Sequence, residues 1–154
     1  MTHTYRMNQP KRSLYDAVGG LPTLQKVHKI FYDKVYADDW LKQFFAGFDQ
    51  QIIENKQTSF MGEKMGGPKY LGKPIKQVHE NLYISRELFE RRHFLLSESL
   101  HETGIDPELT DRWLKIDNAF MKTVFKGSIE SFYKDYTFPF KQRIIIPKPT
   151  DPNT

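Results

Sequence analysis

The sequence predicts an all-α domain of four main helices with short helical pieces between them. Three observations carry that prediction. Apolar residues recur at three- and four-residue spacing over segments of helical length. Cap and breaker residues bound those segments: Asp106-Pro107-Glu108 opens one, while Gly104 and Gly66-Gly67-Pro68 close two others. No convincing strand pattern occurs outside the C-terminal tail.

In chain order, residues 1–12 are polar and are expected to be flexible. Ser13 can cap one or two helical turns from Leu14 to Val18, with Asp16 near the positive helix end and Gly19-Gly20 as the stop. A longer helix opens at Leu21-Pro22, where a missing N–H costs little, and runs to about Tyr36. Leu24, Val27, His28, Phe31 and Val35 share one face, with Tyr32 at its margin. His28 reads as a surface or edge residue. Ala37-Asp38-Asp39 caps a short piece from Trp40 to Phe45, closed by Ala46-Gly47. Asp49 caps the next helix, which reaches about Met65 and carries Ile53, Phe60 and Met61 with Gln57 on the same face. A glutamine there has several donors and acceptors to satisfy. It implies a polar partner, a ligand, or a place at the stripe's margin.

The stretch from Gly66 to His79 is a turn-rich connection, broken again at Gly72 and Pro74. Beyond Pro74, Ile75, Val78, His79 and Leu82 fall on one helical face. An inward-facing imidazole in such a place is either a core histidine bonded to a carbonyl or a ligand to a transition metal or haem iron. Ser85 then caps a helix through about Thr103, with Gly104 as its left-handed stop. Phe89, Leu96 and Leu100 share its face, and Arg92 or His93 must fall nearby. The helix opened by Asp106 places Leu109, Trp113, Ile116, Phe120 and Val124 at core spacing and ends near Gly127. The aromatic tail after it predicts one more helical turn and an extended arm packed on the domain, with disorder from Pro147 onward. The domain is thus expected over residues 13–127, with 128–154 a partly disordered C-terminal extension.

Bulk properties narrow the function classes. The 154 residues suit one domain and one sizeable core. A net charge of +4 with scattered lysines and arginines is not the dense basic stripe that nucleic acid requires. With no cysteine, thiolate metal sites, iron–sulfur clusters and thioether-linked haem are excluded. No apolar run reaches membrane-spanning length, and the N-terminus lacks an apolar signal core, so a cytoplasmic protein without a membrane partner is expected. Aromatic residues make up 14%, enough to line a core that also encloses a flat aromatic ligand.

Taken together, Leu14-Tyr15-Asp16-Ala17-Val18-Gly19-Gly20, Phe31-Tyr32, Ala37-Asp38-Asp39, Phe44-Phe45, Lys56-Gln57, Met65-Gly66-Gly67-Pro68, Tyr70-Leu71-Gly72-Lys73-Pro74 and Val78-His79 resemble the truncated haemoglobin family, and its first group most. Each piece is weak alone. The double glycines, the Tyr-x-Gly-x-Pro connection and the histidine in register make the set specific. The resemblance covers roughly residues 13 to 125 and leaves the long tail outside it. It implies a two-over-two helical sandwich around haem b (iron protoporphyrin IX).

By that resemblance His79 matches the proximal ligand to iron and Phe45 the phenylalanine stacked against the haem. Tyr32 and Gln57 match the polar distal pair that contacts the small ligand. Ile53 matches the apolar distal gate, and Phe60 and Met61 the wall behind it. Lys56 and Tyr70 match positions that reach the propionates. Phe31 and Trp113 are further aromatics that such a cofactor could use. The implied ligands are dioxygen, nitric oxide or carbon monoxide. Nitric oxide dioxygenation is a candidate activity, and it needs an electron donor that the sequence does not name. A haem-based electron-transfer or peroxidase-like protein is the alternative, and a cofactor-free helical interaction module is the outside reading.

The chemistry is independent of the resemblance. An imidazole that binds iron through one nitrogen and donates its other N–H to a carbonyl has its tautomer fixed. A phenol and an amide on the far side can each donate to a ligand bearing partial negative charge, worth roughly 1–3 kcal/mol per bond. Arg92 departs from the pattern: the family usually has a small or apolar residue, or a tryptophan, at its position. Arg92 either points to solvent or a propionate, or makes the pocket more polar. His93 beside it is a conceivable second iron ligand.

Overall fold

The computed structural model describes residues 12–74, 79–135 and 143–150. Its helices are α1 (Leu14–Val18), α2 (Gly20–Ala37), α3 (Gln50–Lys64), α4 (Arg86–Thr103), α5 (Pro107–Met121) and α6 (Ile129–Asp135), with a 3-10 helix at Leu41–Phe45. Ser13, Asp49, Ser85 and Asp106 each accept an N–H bond in the first turn of the helix that they precede, as their sequence positions predict. Gly104 ends α4 in the left-handed conformation.

The long helices form two pairs, α2 with α3 and α4 with α5, and α2 also packs against α4. Leu24, Val27, Phe31 and Val35 of α2 lie at the centre of the core with Leu96 and Leu100 of α4 and Trp113 of α5, all 1% exposed or less. Lys34 of α2 reaches Glu98 and Glu102 of α4 at 2.7 and 2.9 Å. Those pairs are partly exposed and add little to a contact that the apolar stripes already fix.

The Gly66-Gly67 pair has a steric cause. Tyr15 N–H donates to Met65 O at 2.9 Å, which pins α1 to the end of α3. The Tyr15 ring then lies where a β-carbon on Gly67 would stand, 2.7 Å from its Cδ2. Gly66 has φ +95°, and a β-carbon there would come within 2.9 Å of Ser13 Cβ. Side chains at these two positions would push α1 off α3.

Two boundaries differ from expectation. Helix α5 ends at Met121, short of Gly127: Thr123 N–H and Val124 N–H tighten onto Phe120 O and Met121 O at 3.0 and 3.1 Å, and Lys126 N–H then bonds Ile84 O at 2.8 Å. The tail from 143 to 150 forms no helix, and its contacts reach Lys148, one residue past the Pro147 from which disorder is expected. It is held by the Ile144 pairing with Leu82, by Trp40 Nε1–H donating to Ile146 O at 2.9 Å, and by Lys148 on Glu87. The expected helical turn in the tail is α6, which buries Phe132. Residues 1–11, 136–142 and 151–154, with the expectations that fall on them, lie outside the described residues.

Candidate functional site

Helix α2 supplies the most buried of the expected ligand contacts. Tyr32 is 5% exposed, and its ring meets Phe31 at 4.8 Å and Phe45 at 5.9 Å, both edge-on. Phe45 is held there by the 3-10 helix. Asp38 fastens the start of that helix by accepting from Trp40 N–H and Leu41 N–H at 3.2 and 2.9 Å, and from Arg91 Nε at 2.7 Å. Burial pushes the Tyr32 phenol well above its ordinary range, and Arg92 offsets only part of that rise. The hydroxyl therefore stays protonated and able to donate across the accessible pH range.

Helix α3 presents Ile53 and Gln57 half-buried, Phe60 and Met61 buried, and Lys56 exposed. Phe60 packs edge-on against Tyr70 and Phe120, each at 5.3 Å, with Lys64 over its ring. Tyr70 is half-buried and donates its hydroxyl to Lys73 O at 2.9 Å. His79 is half-buried, and its carbonyl accepts from Leu82 N–H at 3.0 Å. Ile75 and Val78, expected on its face, lie outside the described residues.

The burial pattern bears on the implied cofactor. Phe45, Ile53, Leu82, Phe89 and Ile116 pack on the core but stay only partly covered. Their polar neighbours are covered instead: Glu54 is 6% exposed and Asp117 2%. Apolar surface left half-covered on several elements suits a large flat apolar group. Among the described residues no group of three His, Cys, Asp or Glu could hold a bare metal ion. A macrocycle that brings four nitrogens needs only one imidazole from the chain, so the donor set fits haem. Clefts of about 280 and 340 Å³ open along α2 and α3, but Gln25, Asn55 and Thr58 line both, and no expected cofactor residue lines either.

Trp113 and Phe31 are wholly enclosed by protein, 0% and 1% exposed, so they belong to the core beneath the site. The apolar stripe expected on α5 is turned by one residue: Thr110, Trp113, Asp117 and Met121 are buried, while Ile116 and Phe120 are half-covered.

Two polar groups were not legible as core residues. His28 is 1% exposed and so is not a surface or edge residue: its Nδ1 lies 2.7 Å from Thr58 Oγ1, and Trp113 meets its ring edge-on at 5.9 Å. Arg92 turns inward and makes a two-pronged bond to Asp117, with Nη1 and Nη2 donating at 2.7 and 3.0 Å. It therefore points neither to solvent nor to the rim. The available signals were Asp117 falling four residues after Trp113 on a core stripe, and His28 falling between Leu24 and Phe31. His93, beside Arg92, is half-buried with a covered Nδ1 that has no hydrogen-bond partner.

Burial, then the neighbouring Arg92 charge, lower the His28 pKa from 6.5 to about 3. The unfolded chain binds this proton below pH 6.5 and the folded chain does not. His28 stabilisation is thus complete above pH 6.5 and is lost as the pH falls towards 3, at about 1.4 kcal/mol per pH unit. The urea midpoint is expected to fall between pH 6.5 and 4.5 more steeply in the wild type than in His28→Leu. Equal slopes would show that His28 does not stay neutral in the fold.

Similarity to known proteins agrees with this fold. The Bacterial-like globin family matches residues 13–126. The group 1 truncated haemoglobin of Mycolicibacterium paratuberculosis is 35% identical over 105 residues, 68% of this chain and 76% of that one. The crystal structure of the truncated haemoglobin of Tetrahymena pyriformis, Fe(III) form, superposes with a TM-score of 0.67 at 28% identity, covering 76% of this chain and all of that one. The 2/2 haemoglobin of a Synechococcus species, crystallised in the cyanomet state with covalently attached haem, gives a TM-score of 0.69 at 25% identity, covering 73% of this chain and 98% of that one.

Proposed function

Because the chain belongs to the truncated (2/2) haemoglobin family, with group 1 members among its relatives, we propose that it holds haem b through His79 and binds dioxygen reversibly beside Tyr32 and Gln57. The family carries haem-based binding of small diatomic ligands. Membership does not specify the haem type, the residue roles or the physiological ligand, and these are what the proposal adds. When bound, the haem supplies an iron centre that takes up and releases a diatomic molecule.

The chain's own residues do the rest. His79 would hold the iron through a neutral imidazole nitrogen. Tyr32, buried and kept protonated against Phe45, donates its O–H to the ligand. Gln57, half-buried on α3, donates an amide N–H to the same ligand. Phe45, Ile53 and Met61 keep water from competing for those donors. Lys56 and Tyr70 would pair with the propionates, as the resemblance implies, and the exposure of Lys56 makes its share small. The observation that carries this reading is the buried Tyr32 ring held edge-on against the half-covered Phe45.

Conversion of nitric oxide and dioxygen to nitrate at this site is part of the proposal. That conversion takes up one electron for each nitrate formed, so it requires a one-electron donor as partner.

Stopped-flow dioxygen release tests the distal roles. Tyr32→Phe and Gln57→Ala are each expected to release dioxygen roughly tenfold faster or more, from the loss of one hydrogen bond. Unchanged release rates in both variants would remove Tyr32 and Gln57 from the site.

A further inference from the structure

Between His79 and α4, residues 80–85 form no helix, so their backbone groups need partners from elsewhere in the chain. Those partners come from the end of the family-matched stretch, residues 13–126, and from beyond it. Ile144 N–H donates to Asn81 O at 2.8 Å, and Tyr83 N–H donates to Ile144 O at 2.9 Å. The two bonds make the parallel bridge between Leu82 and Ile144. Lys126 N–H donates to Ile84 O at 2.8 Å, and the Lys126 ammonium reaches His79 O at 3.5 Å. Tyr83 also packs on Phe132 of α6, with ring centres 5.9 Å apart. Two residues past the bridge, Ile146 O accepts from Trp40 Nε1–H at 2.9 Å. Trp40 immediately precedes the 3-10 helix that carries Phe45. The strap at residues 144–146 thus ties the segment after His79 to the element that holds Phe45.

We propose that this strap positions His79: by fixing the segment that follows the histidine, it holds the imidazole ready for iron and slows the loss of haem. The inference rests on the haem-binding reading above. A segment already tied down has less freedom to lose when its side chain takes up a ligand. The hold is by the main chain, because the Ile144 side chain is 37% exposed while its N–H and C=O both bond the segment after His79. Ile144 and Trp40 act as positioning residues through that segment. The C-terminal extension, which lies outside the family-matched stretch, acquires a role in cofactor retention.

The test uses the full chain loaded with haem. Ile144→Pro removes the N–H given to Asn81. Ile144→Val keeps both main-chain bonds, and Trp40→Phe keeps an aromatic ring but loses the N–H given to Ile146. Haem transfer to excess apomyoglobin, followed at the Soret band, is expected to run roughly tenfold faster in Ile144→Pro, the worth of one or two main-chain hydrogen bonds. Ile144→Val should match the wild type, and Trp40→Phe should move as Ile144→Pro does, by less. The iron–histidine stretching band of the reduced protein, read by resonance Raman, is expected to shift or broaden in Ile144→Pro. A fold that is merely less stable would lose haem faster without moving that band.

A further readout needs no haem. In the haem-free chain the Tyr83 amide is expected to exchange slowly in the wild type and fast in Ile144→Pro. Unchanged haem transfer or an unmoved iron–histidine band in Ile144→Pro, an equal effect of Ile144→Val, or a fast-exchanging Tyr83 amide in the wild type would each overturn the proposal. Failure of the underlying haem reading looks different: the wild type would show no Soret band with added haem while its Tyr83 amide stayed protected, and the proposal would fall with that reading.

Discussion

The His79→Ala variant is expected to lose, or strongly alter, the Soret band of the wild-type protein and to form no stable oxygenated spectrum. Among the described residues no cluster of metal-binding side chains offers a substitute. His28 has an unpartnered Nε2, but it is enclosed in the core at 1% exposure, so a cofactor at the surface cannot reach it. Among the described residues His93 is a competitor: it is half-buried, and its Nδ1 is covered without a partner. Visible spectra of His79→Ala and His93→Ala, oxidised, reduced and after air exposure, decide between them. A band that survives in His79→Ala but is lost in His93→Ala would transfer the iron to α4. A wild-type protein that stays colourless with added haem would overturn the cofactor reading. Because haem binds the folded chain, the wild type is also expected to melt at higher temperature with haem than without it, and His79→Ala to show little of that gain.

Asp117→Ala is expected to destabilise the haem-free chain by about 3–5 kcal/mol, the usual cost of leaving one partner of a buried ion pair uncompensated. Asp117 is 3% exposed at its side chain, and Arg92 sits over Phe31 with little room to reach water. The variant also leaves Arg92 charged beside the neutral His28 and the protonated Tyr32, neither of which can neutralise it. Urea unfolding measures the loss directly. The Arg92→Leu, Asp117→Leu double variant should recover most of it, because apolar side chains of similar volume replace the pair. A cost below about 1 kcal/mol for Asp117→Ala would mean that the guanidinium reaches solvent or another acceptor.

How the site could be read from sequence depended on residue type. Tyr32, Gln57 and Ile53 were legible as helix-face residues from their spacing, while their ligand roles came from the family resemblance and belong to the proposal. Asp117 was not, because an acid on a helix is usually solvent-facing and its partner lies 25 residues away on another helix. His28 sat on the correct face, yet its burial depended on Thr58 arriving from α3 to satisfy Nδ1. Trp113 and Phe31 looked like possible cofactor contacts, and packing enclosed both within the core.

Local chemistry lies in the sequence by itself: where each main helix starts, which residues can cap it, and the absence of cysteine. Those depend on backbone and side-chain preferences over four or five neighbouring residues, and the caps at Ser13, Asp49, Ser85 and Asp106 formed as that chemistry requires. The tertiary structure alone decided the rotation of each helix about its axis. That rotation turned the buried face of α5 from Ile116 to Asp117, left Ile53 and Ile116 half-covered, and paired Arg92 inside the core. The physical reason is that a helix face is chosen by the sum of contacts with every packed neighbour. One charged pair across two helices can shift that sum by an amount that no single helix's periodicity contains.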